Sequence, residues 1–281
     1  MNAIQVNNIT KRFGEVTALQ NVTLSFEAGK IYGLLGRNGA GKSTLLNLIS
    51  NRIFPTEGEI TVDGEPAREN DRAQGKLYCM SEKTLYPDTM RVREAFRASR
   101  CFYPEFDLDY ALKLAQKFDM NVKTKIKGLS TGYTSIFKLI IALASNAPYI
   151  LLDEPVLGLD ANHRELFYRE LIENYSEHPR TIVISTHLIE EVADLIEQVV
   201  IIKKGEILLN RPAEEVRQMG YSVSGKGSDV DAYIADREVL SVDSLGGLKT
   251  ACLLGKPEGV PASLEVASLD LQKLFVQLTN V

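Results

Sequence analysis

Gly36-Arg37-Asn38-Gly39-Ala40-Gly41-Lys42-Ser43-Thr44 is the stretch that decides the fold. It fits G-x-x-x-x-G-K-[ST], a loop whose backbone N–H groups cradle a polyphosphate. Its three glycines let the backbone turn tightly and approach an anion closely. Lys42 brings a compact positive charge to the outer phosphates, and Ser43 offers a hydroxyl to a magnesium ion. The flanks agree with this reading. Lys30-Ile31-Tyr32-Gly33-Leu34-Leu35 before the loop is short, apolar and β-compatible. Ser43 to Ile49 after it repeats apolar residues three to four apart, as a helix does. Strand, glycine loop and helix together place the phosphates at a helix N-terminus, where free N–H groups and the helix dipole favour anions.

Working outward, the next informative stretch is Tyr149-Ile150-Leu151-Leu152, a continuous apolar run of the kind found inside a parallel sheet. It ends in Asp153-Glu154-Pro155. Two acids at the end of a buried strand are costly without a partner. Sites of parallel sheets lie at the carboxyl ends of strands. Asp153 is therefore placed to hold the magnesium ion, and Glu154 to accept a proton from an attacking water. Thr181 to Thr186 repeats the pattern and ends on His187, which is placed to reach a terminal phosphate.

The rest of the chain reads as a mixed α/β domain with an insert. Ile4-Gln5-Val6 and Val22 to Phe26 alternate like half-buried strands. Between them Phe13, beside Gly14, is either a staple under a sheet edge or a ring on which a base stacks. Pro55 to Gly64 reads as turn, strand, turn, and Leu77 to Met80 as a strand. From Tyr86 to about Ala144 the pattern is helical, with Asp107 as a helix cap and a run from Ile136 to Ala144 that is apolar almost all round and so should be buried. Leu188 to Leu195 reads as a helix. Val199 to Ile202 and Glu206 to Leu209 bracket Lys203-Lys204-Gly205 as a hairpin. From about residue 213 the composition shifts. Strands at Tyr221 to Ser224, Val239 to Val242 and Thr250 to Leu254, then an amphipathic helix from Leu269 to Leu278, predict a small α+β domain spanning 213–281. That domain carries no chemistry legible from its residues, and its size fits docking, dimerisation or regulation.

Composition excludes several classes. The 281 residues carry 44% apolar and 25% charged residues, ordinary for a globular protein. A net charge of −5 argues against nonspecific nucleic-acid binding, which works by neutralising phosphates. Cys79, Cys101 and Cys252 lie far apart without metal-ligand spacing, and read as reduced thiols. The start lacks the apolar core of a signal peptide. The longest apolar run is too short to span a bilayer. Work at a membrane then needs another subunit to supply the membrane.

With these motifs in order over residues 2 to 212, the chain resembles the ATP-binding cassette (ABC) ATPases, the motor subunits of ABC transporters. The resemblance implies a P-loop NTPase cassette over 1–212, with a helical subdomain over about 86–145. It implies ATP and Mg2+ as ligands. ATP would be held by Asn38, Gly39, Ala40, Gly41, Lys42, Ser43 and Thr44, with adenine stacked on Phe13. Ser43 and Asp153 are the implied magnesium residues, Glu154 the catalytic base and His187 the switch histidine, with Lys42 also at the reacting phosphate. Gly158-Leu159-Asp160 matches the loop that addresses a partner cassette.

The family's Leu-Ser-Gly-Gly-Gln signature reads here Leu129-Ser130-Thr131-Gly132-Tyr133. Ser130 and Gly132 are retained and implied to meet ATP held by a second subunit. Thr131 and Tyr133 depart. The usual glutamine after the strand before the insert is also absent, with Ser81 and Glu82 standing nearest. Leu85-Tyr86-Pro87-Asp88 resembles the permease-docking surface. The C-terminal extension resembles that of bacterial antibiotic- and lantibiotic-type exporters.

The expected partners are thus a separate membrane permease and a second cassette, identical or not, with no nucleic acid. The expected location is the cytoplasmic face of the cell membrane. A soluble ABC ATPase with a regulatory role is the alternative.

Overall fold

Apolar strands that are buried on both faces take the centre of a parallel sheet, and amphipathic strands take its rim. The structure, a computed structural model, describes residues 2–81, 84–268 and 271–280, apart from the side chains of residues 277 and 280. The N-terminal part runs β1 (Ala3–Phe13), β2 (Val16–Glu27), β3 (Ile31–Leu35), α1 (Lys42–Ile49), β4 (Glu57–Val62), β5 (Glu65–Pro66), α2 (Asp71–Gln74) and β6 (Leu77–Met80). The insert contributes α3 (Val92–Ser99), α4 (Leu108–Lys117) and α5 (Thr131–Ala144). Then come β7 (Tyr149–Asp153), α6 (Ala161–Glu177), β8 (Thr181–Thr186), β9 (Gln198–Lys203) and β10 (Glu206–Pro212). The C-terminal part is α7 (Ala213–Arg217), β11 (Gly220–Lys226), α8 (Gly227–Ile234), β12 (Val239–Leu245), β13 (Leu248–Leu254), β14 (Glu265–Ser268) and α9 (Leu271–Asn280).

The central sheet has the order β10-β9-β3-β8-β7-β6. Every pair in it is parallel except the β9–β10 hairpin. Lys204 and Gly205 turn that hairpin with positive φ values of 50° and 83°. The carboxyl ends of β3, β7 and β8 therefore lie side by side, and each feeds a loop of the site. An antiparallel sheet, β2-β1-β4-β5, lies against the central sheet and buries Ile4, Val6, Phe26 and Val62 with Leu45 and Ile49 of α1. On the other side, α3 and α5 bury Phe96, Phe137 and Ile140 in the larger core.

One expected element is absent. Leu188 to Leu195 is a single 3-10 turn at Ile189–Glu191 followed by further turns. The Thr186 hydroxyl accepts from Leu188 N at 3.0 Å, which draws the backbone away from a helical start. Ile189, Val192 and Ile196 still reach the core, so their three- and four-residue spacing reflects burial rather than a helix. The terminal helix is present from Leu271, while Leu269 and Asp270 lie outside the described residues. Short elements that sequence periodicity does not reveal include β5, α2, α7 and the exposed edge strand β14.

A third sheet, β12-β13-β11-β14, holds its own small core of Tyr221, Val223, Val230 and Leu253 under α8. Its other face meets α9. Leu271, Leu274 and Phe275 of α9 join Cys252 in the larger core, and α9 contacts the turn at 189–191. Lys203 Nζ donates to Leu278 O at 3.2 Å.

Asp63, at the end of β4, ties the two large sheets together. Its carboxylate accepts from Lys76 Nζ at 2.8 Å and from the Tyr149 hydroxyl at the start of β7. Burial pushes Asp63 up, but these hydrogen bonds and the Lys76 charge outweigh it and hold the group below its ordinary value of 3.8. A depressed carboxylate stabilises the fold above its unfolded pKa, and the contribution is lost as pH falls through the folded one. Urea unfolding of Asp63→Asn should therefore show a lower midpoint than the parent at pH 7, with the difference shrinking as pH falls below about 4.

Candidate functional site

Three loops meet at the carboxyl edge of the central sheet. The first follows β3. Gly39 and Gly41 adopt φ of 79° and 112°, a region costly for any residue with a Cβ. Gly41 is also close-packed: a Cβ there would lie 2.7 Å from Leu19 Cδ2 and 2.9 Å from Ala18 O. Gly205 N donates to Ala40 O at 2.9 Å, which ties the loop to the β9–β10 turn. Helix α1 starts directly after Gly41, so its first N–H groups face the loop. Lys42 is 6% exposed, and its Nζ donates to Gly36 O at 2.7 Å. Residues 37–44, with Ala18 and Glu154, line a cleft of about 220 Å³.

The second loop follows β7. Asp153 Oδ1 accepts from Ser185 Oγ at 2.9 Å. Glu154 takes φ of +46°, uncommon for a residue with a side chain, and its N–H donates to Ser185 O at 2.8 Å. Backbone in this region is held only where surrounding contacts over-determine it, and such residues cluster at functional sites. The Glu154 carboxylate meets three groups. Lys42 Nζ lies 3.4 Å from Oε1, while His187 Nδ1 lies 2.9 Å and Thr186 Oγ1 3.4 Å from Oε2. The structure thus joins residues 42, 154 and 187, which are far apart in sequence.

The third loop follows β8. Ser185 and Thr186 are fully buried and bind Asp153 and Glu154 respectively. Sequence reasoning missed both. The available signal was two hydroxyl residues closing an otherwise β-branched buried strand.

The remaining expected residues fall into two groups. Phe13 ends β1 with half its surface exposed, and Lys11 Nζ sits 4.8 Å from the ring centroid. It is no buried staple. Ser130 and Gly132 begin α5, where Ser130 Oγ caps the helix by accepting from Tyr133 N at 3.2 Å. Asp160 caps α6 by accepting from His163 N at 2.9 Å. That bond, with the His163 side chain, holds Asp160 below the usual carboxylate range. Among the described residues, Ser130, Gly132 and Asp160 do not line the phosphate-loop cleft. Ser81 O accepts from Lys138 Nζ at 2.8 Å, and Glu82 lies outside the described residues.

A glycine loop opening a helix, with strand-end acids from a parallel strand of the same sheet, one strand removed, defines a P-loop nucleoside-triphosphatase. Comparison with known proteins narrows this class. A family profile described as ABC transporter matches residues 19–157. NatA, an ABC transporter ATP-binding protein of Bacillus subtilis, is 32% identical over 76% of this chain and 91% of its own. The lantibiotic transport ATP-binding protein SrtF of Streptococcus pyogenes is 31% identical over 74% of this chain and 90% of its own. The dimeric cassette MJ0796 bound to ADP and Pi superposes with a TM-score of 0.66 at 25% identity, covering 75% of this chain and 98% of that one. The chain belongs to the ATP-binding subunits of ABC transporters. It is an ATP-binding, ATP-hydrolysing motor subunit, and the relatives support a transport role over the soluble regulatory alternative.

Gly41→Ala should abolish ATP binding, because the added methyl meets Leu19 and Ala18 at a φ that disfavours it. Titration with a fluorescent ATP analogue checks this. Gly39→Ala, with open space around its Cβ position, should retain weaker binding.

Proposed function

We propose that two cassettes close face to face, each enclosing ATP between its own phosphate loop and Ser130 and Gly132 of the other. The observation that carries this reading is the convergence of Lys42 and His187 on the Glu154 carboxylate, beside the phosphate loop. The exposed positions of Ser130 and Asp160, outside that cleft, support a second copy as the source of the far wall. Phe13 stacks adenine. Residues 38–44 hold the phosphates through backbone N–H groups, with Lys42 at the outer ones.

Ser43 and Asp153 are an oxygen-donor set that fits magnesium, and Ser185 fixes the carboxylate that would bind it. The ion supplies charge neutralisation at the outer phosphates. Glu154 is the base. It orients a water for in-line attack on the γ-phosphate and accepts its proton, while His187 holds the carboxylate and reaches the same phosphate. Positioning and charge stabilisation do most of the work in such a transfer.

The membrane partner is a separate permease, and the chain works at the cytoplasmic face of the membrane. Among the described residues no helix is long and apolar enough to cross a membrane. A groove of about 620 Å³ between β6 and α3, lined by Tyr78, Met80, Leu85, Tyr86 and Phe102, supports docking there. Leu85 and Phe102 are apolar yet mostly exposed. We read the direction of transport as export. We read 1–212 as the cassette and 213–281 as an accessory unit, supported by the separate small core of the third sheet.

Glu154→Gln should bind ATP, lose about 10²–10⁴-fold in turnover and accumulate an ATP-dependent dimer. Steady-state ATPase and light scattering read both effects. A variant that hydrolyses ATP normally would remove Glu154 as the base. A tagged chain recovered from membranes should bring down a polytopic partner in stoichiometric amount, and recovery without one would count against the docking reading.

A further inference from the structure

One of the two departures in the signature segment, Thr131, faces the loop that follows Glu154. The Thr131 side chain lies against Gly158, where a Cβ would sit 3.1 Å from Thr131 Cγ2. Gly132 is closer still: a Cβ there would lie 2.7 Å from Gly158 O. One turn further along α5, Ser135 Oγ donates to Leu157 O at 3.0 Å. The start of α5 and the loop at 157–160 are therefore packed backbone to backbone.

Tyr133 extends this contact to His163 in the first turn of α6. The two rings meet edge to face, with centroids 6.1 Å apart and planes at 64°. Phe118 also stacks with the imidazole, at 6.2 Å and 19°. The imidazole in turn faces Asp160. Its Nδ1 lies 2.7 Å from Oδ2, while the His163 N–H donates to Oδ1 at 2.9 Å.

A histidine three residues after a capping aspartate can swing away by rotation about χ1. Here the rings of Phe118 and Tyr133 bound the imidazole and limit that rotation. Aromatic pairs favour edge-to-face and stacked geometries of this kind. A glutamine, the family's usual residue at position 133, offers no ring to His163.

We propose that Tyr133 and His163 are a positioning pair, in which Tyr133 fixes the imidazole, the imidazole fixes Asp160, and the signature segment thereby sets the loop facing the second cassette. The departure at position 133 is then a built contact rather than a loss. Neither residue touches the phosphate-loop cleft, so the pair acts through Asp160 and on closure, not on ATP capture.

The proposal rests on the reading that two copies enclose ATP, and the test separates the two. Dimerisation with ATP is measured by sedimentation in a Glu154→Gln background. Tyr133→Gln and His163→Ala should each weaken the ATP-driven dimer about tenfold, and the double variant should be no weaker than either single one. Tyr133→Phe keeps the ring and should behave as the parent. His163→Phe keeps the stacking without the Asp160 bond and should match His163→Ala, which guards against a variant that fails to fold. Binding of a fluorescent ATP analogue to the monomer should be unchanged throughout.

Undiminished dimerisation in Tyr133→Gln or His163→Phe would overturn the pair, as would multiplying effects in the double variant. Failure of the Glu154→Gln parent itself to dimerise would overturn the two-copy reading, and the pair's role with it.

Discussion

The site depends on one carboxylate. Glu154 sits at the end of a buried strand with φ of +46°, and its oxygens lie within 3.4 Å of Lys42 Nζ and 2.9 Å of His187 Nδ1. A charge there without partners would be costly to bury. The partners come from the segments that follow two other strands, and those are brought alongside by the parallel pairing of β3, β8 and β7. Sheet order, loop conformation and chemistry are in this sense one constraint. The hydroxyls of Ser185 and Thr186 complete it by holding the two acids from the neighbouring strand.

That constraint explains why so much of the site was legible in the sequence. A phosphate loop needs glycines where φ is positive and close packing forbids a Cβ, as at Gly41. A parallel strand needs an uninterrupted apolar run, as at Tyr149 to Leu152. Such demands leave marks at fixed spacings. Hydroxyl residues that close a buried strand, such as Ser185 and Thr186, leave a weaker mark, because no fixed spacing ties them to the acids they hold. The turn at 189–191 misled for a related reason. Burial of Ile189, Val192 and Ile196 produces helical spacing, while the backbone is set by a single hydroxyl–amide bond from Leu188 to Thr186. Phe13 was ambiguous locally, because half-exposure is a property of the folded sheet edge and not of the residues around it.

The C-terminal part was legible as strands and a terminal helix, but not in its packing. Sequence alone gives no reason for Leu274 and Phe275 to pack against the larger core as well as against their own sheet. The structure gives one: α9 fills the space between Cys252 of β13 and the turn after His187, and so joins both bodies. The helix ends near the phosphate loop as well, since Thr279 shares a cavity of about 490 Å³ with Arg37, Asn38 and Lys203. Helix α9 is thus in packing contact with the same edge that carries the chemistry.

The most direct test of the account is the dependence of ATPase specific activity on the concentration of the purified chain. If two copies complete each site, activity per molecule is low in dilute solution and rises with concentration until the dimer is saturated. A specific activity that stayed constant from nanomolar to micromolar protein, with the chain monomeric throughout, would contradict it and place the whole of the chemistry within one cassette.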